Sequence, residues 1–133
     1  MPLHPINPPA LGEPRGWTNG LQTHVGASTL FVAGQTARDG AGRIVEGGLV
    51  AQWEQALANV LTVVHAAGGR ATDIARMTVY LTSLSDYKAS RKQIGEVWKA
   101  RMGRHYPAMS VVEVSGLVDD GAMIEIEATA VIA

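Results

Sequence analysis

Three glutamates, Glu113, Glu125 and Glu127, sit in C-terminal runs whose alternating apolar residues predict strands. A carboxylate on a half-buried strand is costly unless it is paired, hydrogen-bonded or used. Glu125 is therefore a candidate general base or water-orienting group, because partial burial raises a carboxyl pKa toward the working range. The alternative is a structural ion pair with Arg76 on a neighbouring strand. Arg91 lies four residues after Tyr87 and three before Ile94, beside an apolar helical stripe. From there a guanidinium can reach a cleft and meet a carboxylate, or its stem can pack on the stripe with the head in solvent. Trp17, in a proline- and glycine-rich setting, is either a ring that covers a ligand or an anchor that pins its segment. Met109 offers a flexible thioether suited to lining an apolar pocket.

Other chemistries find little support. The chain of 133 residues has no cysteine, so disulfides, thiolate nucleophiles and cysteine-bound metals are excluded. His4, His24, His65 and His105 show no metal-ligand spacing, and neither a metal nor an organic cofactor is expected. Ser110 has no adjacent histidine or aspartate that would suggest a hydrolase triad. A net charge of −1 and the lack of a concentrated basic-aromatic surface argue against nucleic-acid binding. No basic segment followed by an apolar run resembles a secretory signal, and no stretch approaches membrane-spanning length. A soluble, cytoplasmic protein is expected.

The elements that must carry these residues are readable in outline. Residues 1–16 hold five of the six prolines and predict an extended arm, neither helix nor central strand. Two strands are expected between Gly20 and Gln35. A helix is expected from Leu49 to Ala67, with Leu49, Trp53, Ala56, Leu57, Val60, Val64 and Ala67 as its apolar stripe and Gly68 and Gly69 closing it. Ile74 to Thr82 predicts a strand. A second helix capped by Ser85 or Asp86 follows, then strands around residues 107–114 and 123–128. No internal repeat or linker interrupts the chain, so a single domain spanning 1–133 is expected.

Two helices can cover only one face of the resulting sheet. Alternation assigns Met77, Val79, Leu81, Val112, Val114, Ile124 and Ile126 to that face. It assigns Gln22, Phe31, Thr78, Tyr80, Met109, Val111, Glu113, Met123, Glu125 and Glu127 to the other. So many large apolar groups on an uncovered face predict packing against other copies of the chain, with Glu113 and Glu127 in that interface.

Several segments, in order, resemble the Rid (reactive intermediate deaminase, or YjgF-type) family. They are Val32-Ala33-Gly34-Gln35, Gln55-Ala56-Leu57-Ala58-Asn59-Val60, Val79 to Tyr87, Pro107-Ala108-Met109-Ser110 and Ile124-Glu125-Ile126-Glu127. The resemblance implies an α+β, chorismate-mutase-like mixed sheet with two helices on one face. It also implies a homotrimer with a central β-barrel and small-molecule clefts between subunits. Family members hydrolyse enamines and imines, such as 2-aminoacrylate, to 2-oxo acids and ammonia, without a cofactor. By position, Glu125 corresponds to the family's water-directing glutamate and Met109 to the arginine that grips the substrate carboxylate. Val111 falls on a frequent cysteine, Trp17 on a pocket-closing aromatic, Ala33 on a serine before Gly34-Gln35, and Arg91 on an asparagine. Methionine cannot supply a guanidinium's bidentate bonds, so the usual 2-aminoacrylate activity is expected to be weak or absent. A non-catalytic, ligand-binding or regulatory trimer is the alternative. An endoribonuclease or translation inhibitor, labels some relatives carry, is the third.

Overall fold

The computed structural model describes residues 3–133, so the first two residues of the expected arm lie outside the described residues. Its core is a four-stranded mixed sheet built from β3 (Ser28–Gln35), β4 (Ile74–Leu81), β5 (Ala108–Glu113) and β6 (Ile124–Ile132), in the spatial order β3-β6-β4-β5. β6 runs antiparallel to both β3 and β4, while β5 lies parallel to β4. The parallel pair requires a crossover, which α2 (Leu84–Ala89) and α3 (Arg91–Met102) provide. With α1 (Gly48–Ala66), these helices complete the α+β architecture.

Burial follows the pleat. Met77, Val79 and Leu81 of β4 and Ile124 and Ile126 of β6 are fully buried against Trp53, Leu57, Val60 and Val64 of α1 and Ile94 and Trp98 of α3. The α1 stripe falls as its spacing predicts, except that Ala67 is an exposed cap residue. Gly68 takes φ +82°, a conformation that side chains resist, and the chain turns there toward β4.

Four features differ from the sequence reading. First, the proline-rich arm is partly structured. Its β1 (Leu3–Ile6) pairs antiparallel with β2 (Gly20–Thr23) in a separate two-stranded ribbon, and Pro9–Leu11 form a 3-10 turn. Gln22 therefore belongs to that ribbon and not to the main sheet. Proline is tolerated at Pro5 because a two-stranded ribbon leaves every strand an edge.

Second, the expected second helix breaks at Ser90 into α2 and α3, and it begins earlier. Ser83, not Ser85 or Asp86, is its N-cap, with Oγ accepting from the Asp86 backbone N–H at 3.1 Å. Third, the phase of β5 is reversed. The parallel register places Met109 opposite Met77 and Val111 opposite Val79, so both stand on the helix-covered face. Val112 is instead on the open face and 38% exposed. Apolar residues at 109, 111 and 112 fit either phase, so alternation alone could not choose.

Fourth, Glu113 shares the helix side. Its Oε1 accepts the Leu84 N–H at 2.9 Å, where a carboxylate satisfies an unpaired donor and the helix dipole of α2. It is a cap rather than an interface group of the open face.

Candidate functional site

The expected site residues fall into two groups on opposite faces of the sheet. On the helix side, Trp17, Arg91, Met109 and Val111 line one cleft of ≈ 320 Å³. They share it with Trp53, Tyr87, Trp98 and Tyr106. Trp53 stacks on Tyr87 with ring centroids 5.5 Å apart, and Trp98 on Tyr106 at 6.1 Å. These two stacked pairs come from α1, α2, α3 and the approach to β5, so the helix packing itself builds the wall.

Arg91 opens α3, and its guanidinium carbon lies 5.5 Å from the Tyr87 ring centroid. That cation–π contact holds the head of an otherwise exposed side chain over the cleft rim. Among the described residues the ion pair is Arg101 with Glu54, and no acidic side chain meets Arg91 or lines the cleft. The cleft thus carries one permanent positive charge with no acidic partner among the described residues. Trp17 is 46% exposed at its mouth and donates from Nε1 to Asn19 Oδ1 at 3.2 Å. Asn19 N–H in turn donates to Asn7 Oδ1 at 2.8 Å, tying the ring's loop to the arm.

On the other face, Glu125 lies opposite Tyr80 and Glu127 opposite Thr78. The register slips between Val32 and Gln35, so β3 bulges at Ala33 and Gly34. The bulge brings Gly34 against Glu125: a Cβ built on Gly34 would stand 2.6 Å from Glu125 Oε2. Gln35 Nε2 donates back to Ala33 O at 3.0 Å, which ties the bulge together. The ion pair between Arg76 and Glu125 is not formed. Arg76 instead donates to Ala108 O at 3.4 Å, and its register partners are Thr129 and Ala108. Glu127 accepts the Tyr80 phenol at 2.6 Å, and that hydrogen bond raises the Tyr80 pKa above its ordinary value.

Gln52 of α1 sets where Glu125 begins. It is buried, donates to Gly121 O at 3.0 Å and accepts the Met123 N–H at 2.8 Å. Both contacts clamp the turn that leads into β6, two residues before Glu125.

Sequence reasoning missed Tyr106, Gly95, the part played by Trp53, which it assigned to the α1 stripe, and the part played by Tyr87 and Trp98 of the second helical pattern. The legible signal was the number of aromatic residues on both helical stripes next to an arginine. In one protomer Ala33, Gly34, Gln35 and Glu125 do not join the Arg91 cleft. They occupy β3 and β6, whereas Met109 and Val111 occupy β5 at the opposite edge of the sheet.

A helix-backed mixed sheet with a cationic, aromatic-walled cleft on one side and acidic side chains on the other defines a small α+β domain. Comparison with known proteins gives it a family. The model of the Endoribonuclease L-PSP family matches residues 17–132, and the chain belongs to this Rid or YjgF-type family. It is 35% identical over 104 residues to the 2-iminobutanoate/2-iminopropanoate deaminase of Capra hircus, covering 77% of this chain and 72% of that one. It is 39% identical over 102 residues to a RutC family protein of Pyrococcus horikoshii, covering 76% and 77%. Among solved structures, the Rid family protein YyfB of Yersinia pestis superposes with a TM-score of 0.85 at 32% identity, over 98% of each chain. Escherichia coli TdcF with bound serine does so with a TM-score of 0.70 at 30% identity, over 92% of each. No helix among the described residues is long and apolar enough to cross a membrane.

Proposed function

We propose that the chain forms a homotrimer that hydrolyses a 2-imino acid or its enamine tautomer to a 2-oxo acid and ammonia. The observation that carries this reading is the position of Arg91, which lines the same cleft as Met109 and has no acidic partner among the described residues. Arg91 supplies from α3 the carboxylate grip that Met109 cannot supply from β5. The curated relatives named as imino-acid deaminases support the reaction class, and the neighbour with bound serine supports an amino-acid-sized ligand.

In this reading the active cleft lies between protomers. Arg91, Met109, Val111 and Trp17 come from one copy, and Ala33, Gly34, Gln35 and Glu125 from the next. The open face supports such packing, since Phe31 on it is 79% exposed and β3 and β5 are both free edges. Glu125 accepts a proton from water as the oxygen adds to the imine carbon and passes it to the nitrogen; the hydroxyl proton of the resulting carbinolamine then takes the same route as the carbon–nitrogen bond breaks and ammonia leaves. The backbone at Gly34 and Val111 offers hydrogen bonds to substrate. Oxygen replaces nitrogen with no net oxidation, so no cofactor is required.

Because the carboxylate is gripped from a new direction, turnover of 2-aminoacrylate is weak compared with a homologue carrying the arginine. Ammonia release from enamines generated in situ tests the reading, together with sedimentation to count protomers. Robust 2-aminoacrylate turnover that survives loss of Arg91 would overturn the assignment of the grip, and a monomer would overturn the shared cleft.

The second reading is a non-catalytic binder of small carboxylates. It is favoured by the separation of Glu125 from the Arg91 cleft within one protomer. Glu125→Gln separates the two: an enzyme loses turnover and keeps binding, whereas a binder has no turnover to lose.

A further inference from the structure

The walls of the Arg91 cleft say more than that an anion binds. Five of its eleven lining residues are aromatic: Trp17, Trp53, Tyr87, Trp98 and Tyr106. Trp53 with Tyr87 and Trp98 with Tyr106 are near-parallel pairs, with interplanar angles of 18° and 6°. Flat ring faces of this kind give their largest return with another flat ring, through offset stacking or edge-to-face contact in addition to area burial. A two- or three-carbon aliphatic side chain would leave much of a ≈ 320 Å³ space to water.

A further observation points the same way. Gly95 of α3 also lines the cleft, and a Cβ there would meet nothing within 4 Å. Glycine in a helix interior is disfavoured relative to alanine, so leaving this wall bare opens space at a local cost.

We infer that the cleft selects 2-imino acids, and their 2-oxo acid products, that bear an aromatic side chain. Arg91 holds the carboxylate, and the ring lies among the tryptophan and tyrosine faces in the room left by Gly95. The inference rests on the imine-deaminase reading of the same cleft, but its test is a binding measurement that does not need turnover.

The probes are phenylpyruvate and indole-3-pyruvate against pyruvate and 2-oxobutanoate, titrated calorimetrically into the full chain. Aromatic acids are expected to bind about tenfold tighter or better. Gly95→Leu, with its fold checked by melting temperature, is expected to bring that ratio close to one by filling the ring's space. Equal or tighter binding of pyruvate and 2-oxobutanoate overturns the inference and leaves the deaminase reading standing. So does a Gly95→Leu protein that keeps the wild-type ratio. Aromatic preference without ammonia release from any imine upholds the inference and removes the deaminase reading.

Discussion

Gly34 and Glu125 touch across the β3–β6 ladder so closely that a methyl group on residue 34 would lie 2.6 Å from one carboxylate oxygen and 2.8 Å from the carboxyl carbon. The atoms in the way belong to a partly exposed, flexible side chain rather than to backbone. An alanine at 34 is therefore accommodated by swinging the carboxylate away. The rotamer of Glu125 is in effect set by the absence of a side chain opposite it.

Gly34→Ala is therefore expected to separate stability from function. Melting temperature should change little, because the displaced group is partly exposed and can rotate. Turnover should fall by about tenfold or more, since a misplaced general base loses much of a typical 10²–10⁴ contribution. Activity equal to wild type would show that the Glu125 position has no bearing on the chemistry.

Arg91 gives a second expectation. If it grips the carboxylate, Arg91→Ala removes a charge-assisted hydrogen bond of about 1.5–3 kcal/mol, a roughly 10- to 150-fold loss in KM or Kd. Arg91→Lys should recover only part, because an ammonium lacks the planar fork and stacks less well on Tyr87. Unchanged KM in Arg91→Ala would remove the guanidinium from the site.

Gln52 tests the clamp on the turn before β6. Gln52→Leu retains bulk but leaves the Gly121 carbonyl and the Met123 N–H without their partner. An unsatisfied buried group costs about 1–3 kcal/mol, so chemical denaturation should show a loss of roughly 2–4 kcal/mol. Because the same turn positions Glu125, turnover per folded molecule should fall as well. A variant as stable as wild type would show that water replaces the amide.

Much of this arrangement was legible in the chain, and where it was not the reason is physical. The α1 stripe was legible because seven apolar positions at helical spacing admit one solution. β4 was legible because Met77, Val79 and Leu81 alternate strictly with polar or half-exposed neighbours. β5 was not, because Met-Ser-Val-Val-Glu-Val supports either phase, and its register is fixed by the parallel pairing with β4, a nonlocal fact. The same inversion moved Met109 and Val111 into the Arg91 cleft and set Glu113 against the Leu84 N–H at the start of α2, beside the Ser83 cap. The break at Ser90 also escaped, since neither serine nor arginine interrupts a helical pattern in sequence. The family motifs pointed to Gly34 and Glu125, and the structure brings these two residues into contact at the β3 bulge. They gave no hint of the aromatic wall, whose residues looked like ordinary core.

The Tyr80–Glu127 hydrogen bond yields a pH signature on the open face. The phenol donates to the carboxylate at 2.6 Å, and this bond, more than desolvation, raises the Tyr80 pKa. With the folded value above the unfolded one, the protonated phenol contributes stability that is fully present below the ordinary tyrosine pKa near 10. That contribution is lost as pH rises through the higher, folded value. Ultraviolet titration of the folded protein, with Tyr80→Phe as the assignment control, should show Tyr80 ionising above the ordinary tyrosine range. Glu127→Gln should return it toward the ordinary value, because a neutral amide no longer opposes the phenolate charge. Both side chains are open to solvent in the protomer, so the stability change should be small there. If the open faces pack together in a trimer, the loss of water around the pair would strengthen it, and the high-pH limit of assembly would follow the same titration.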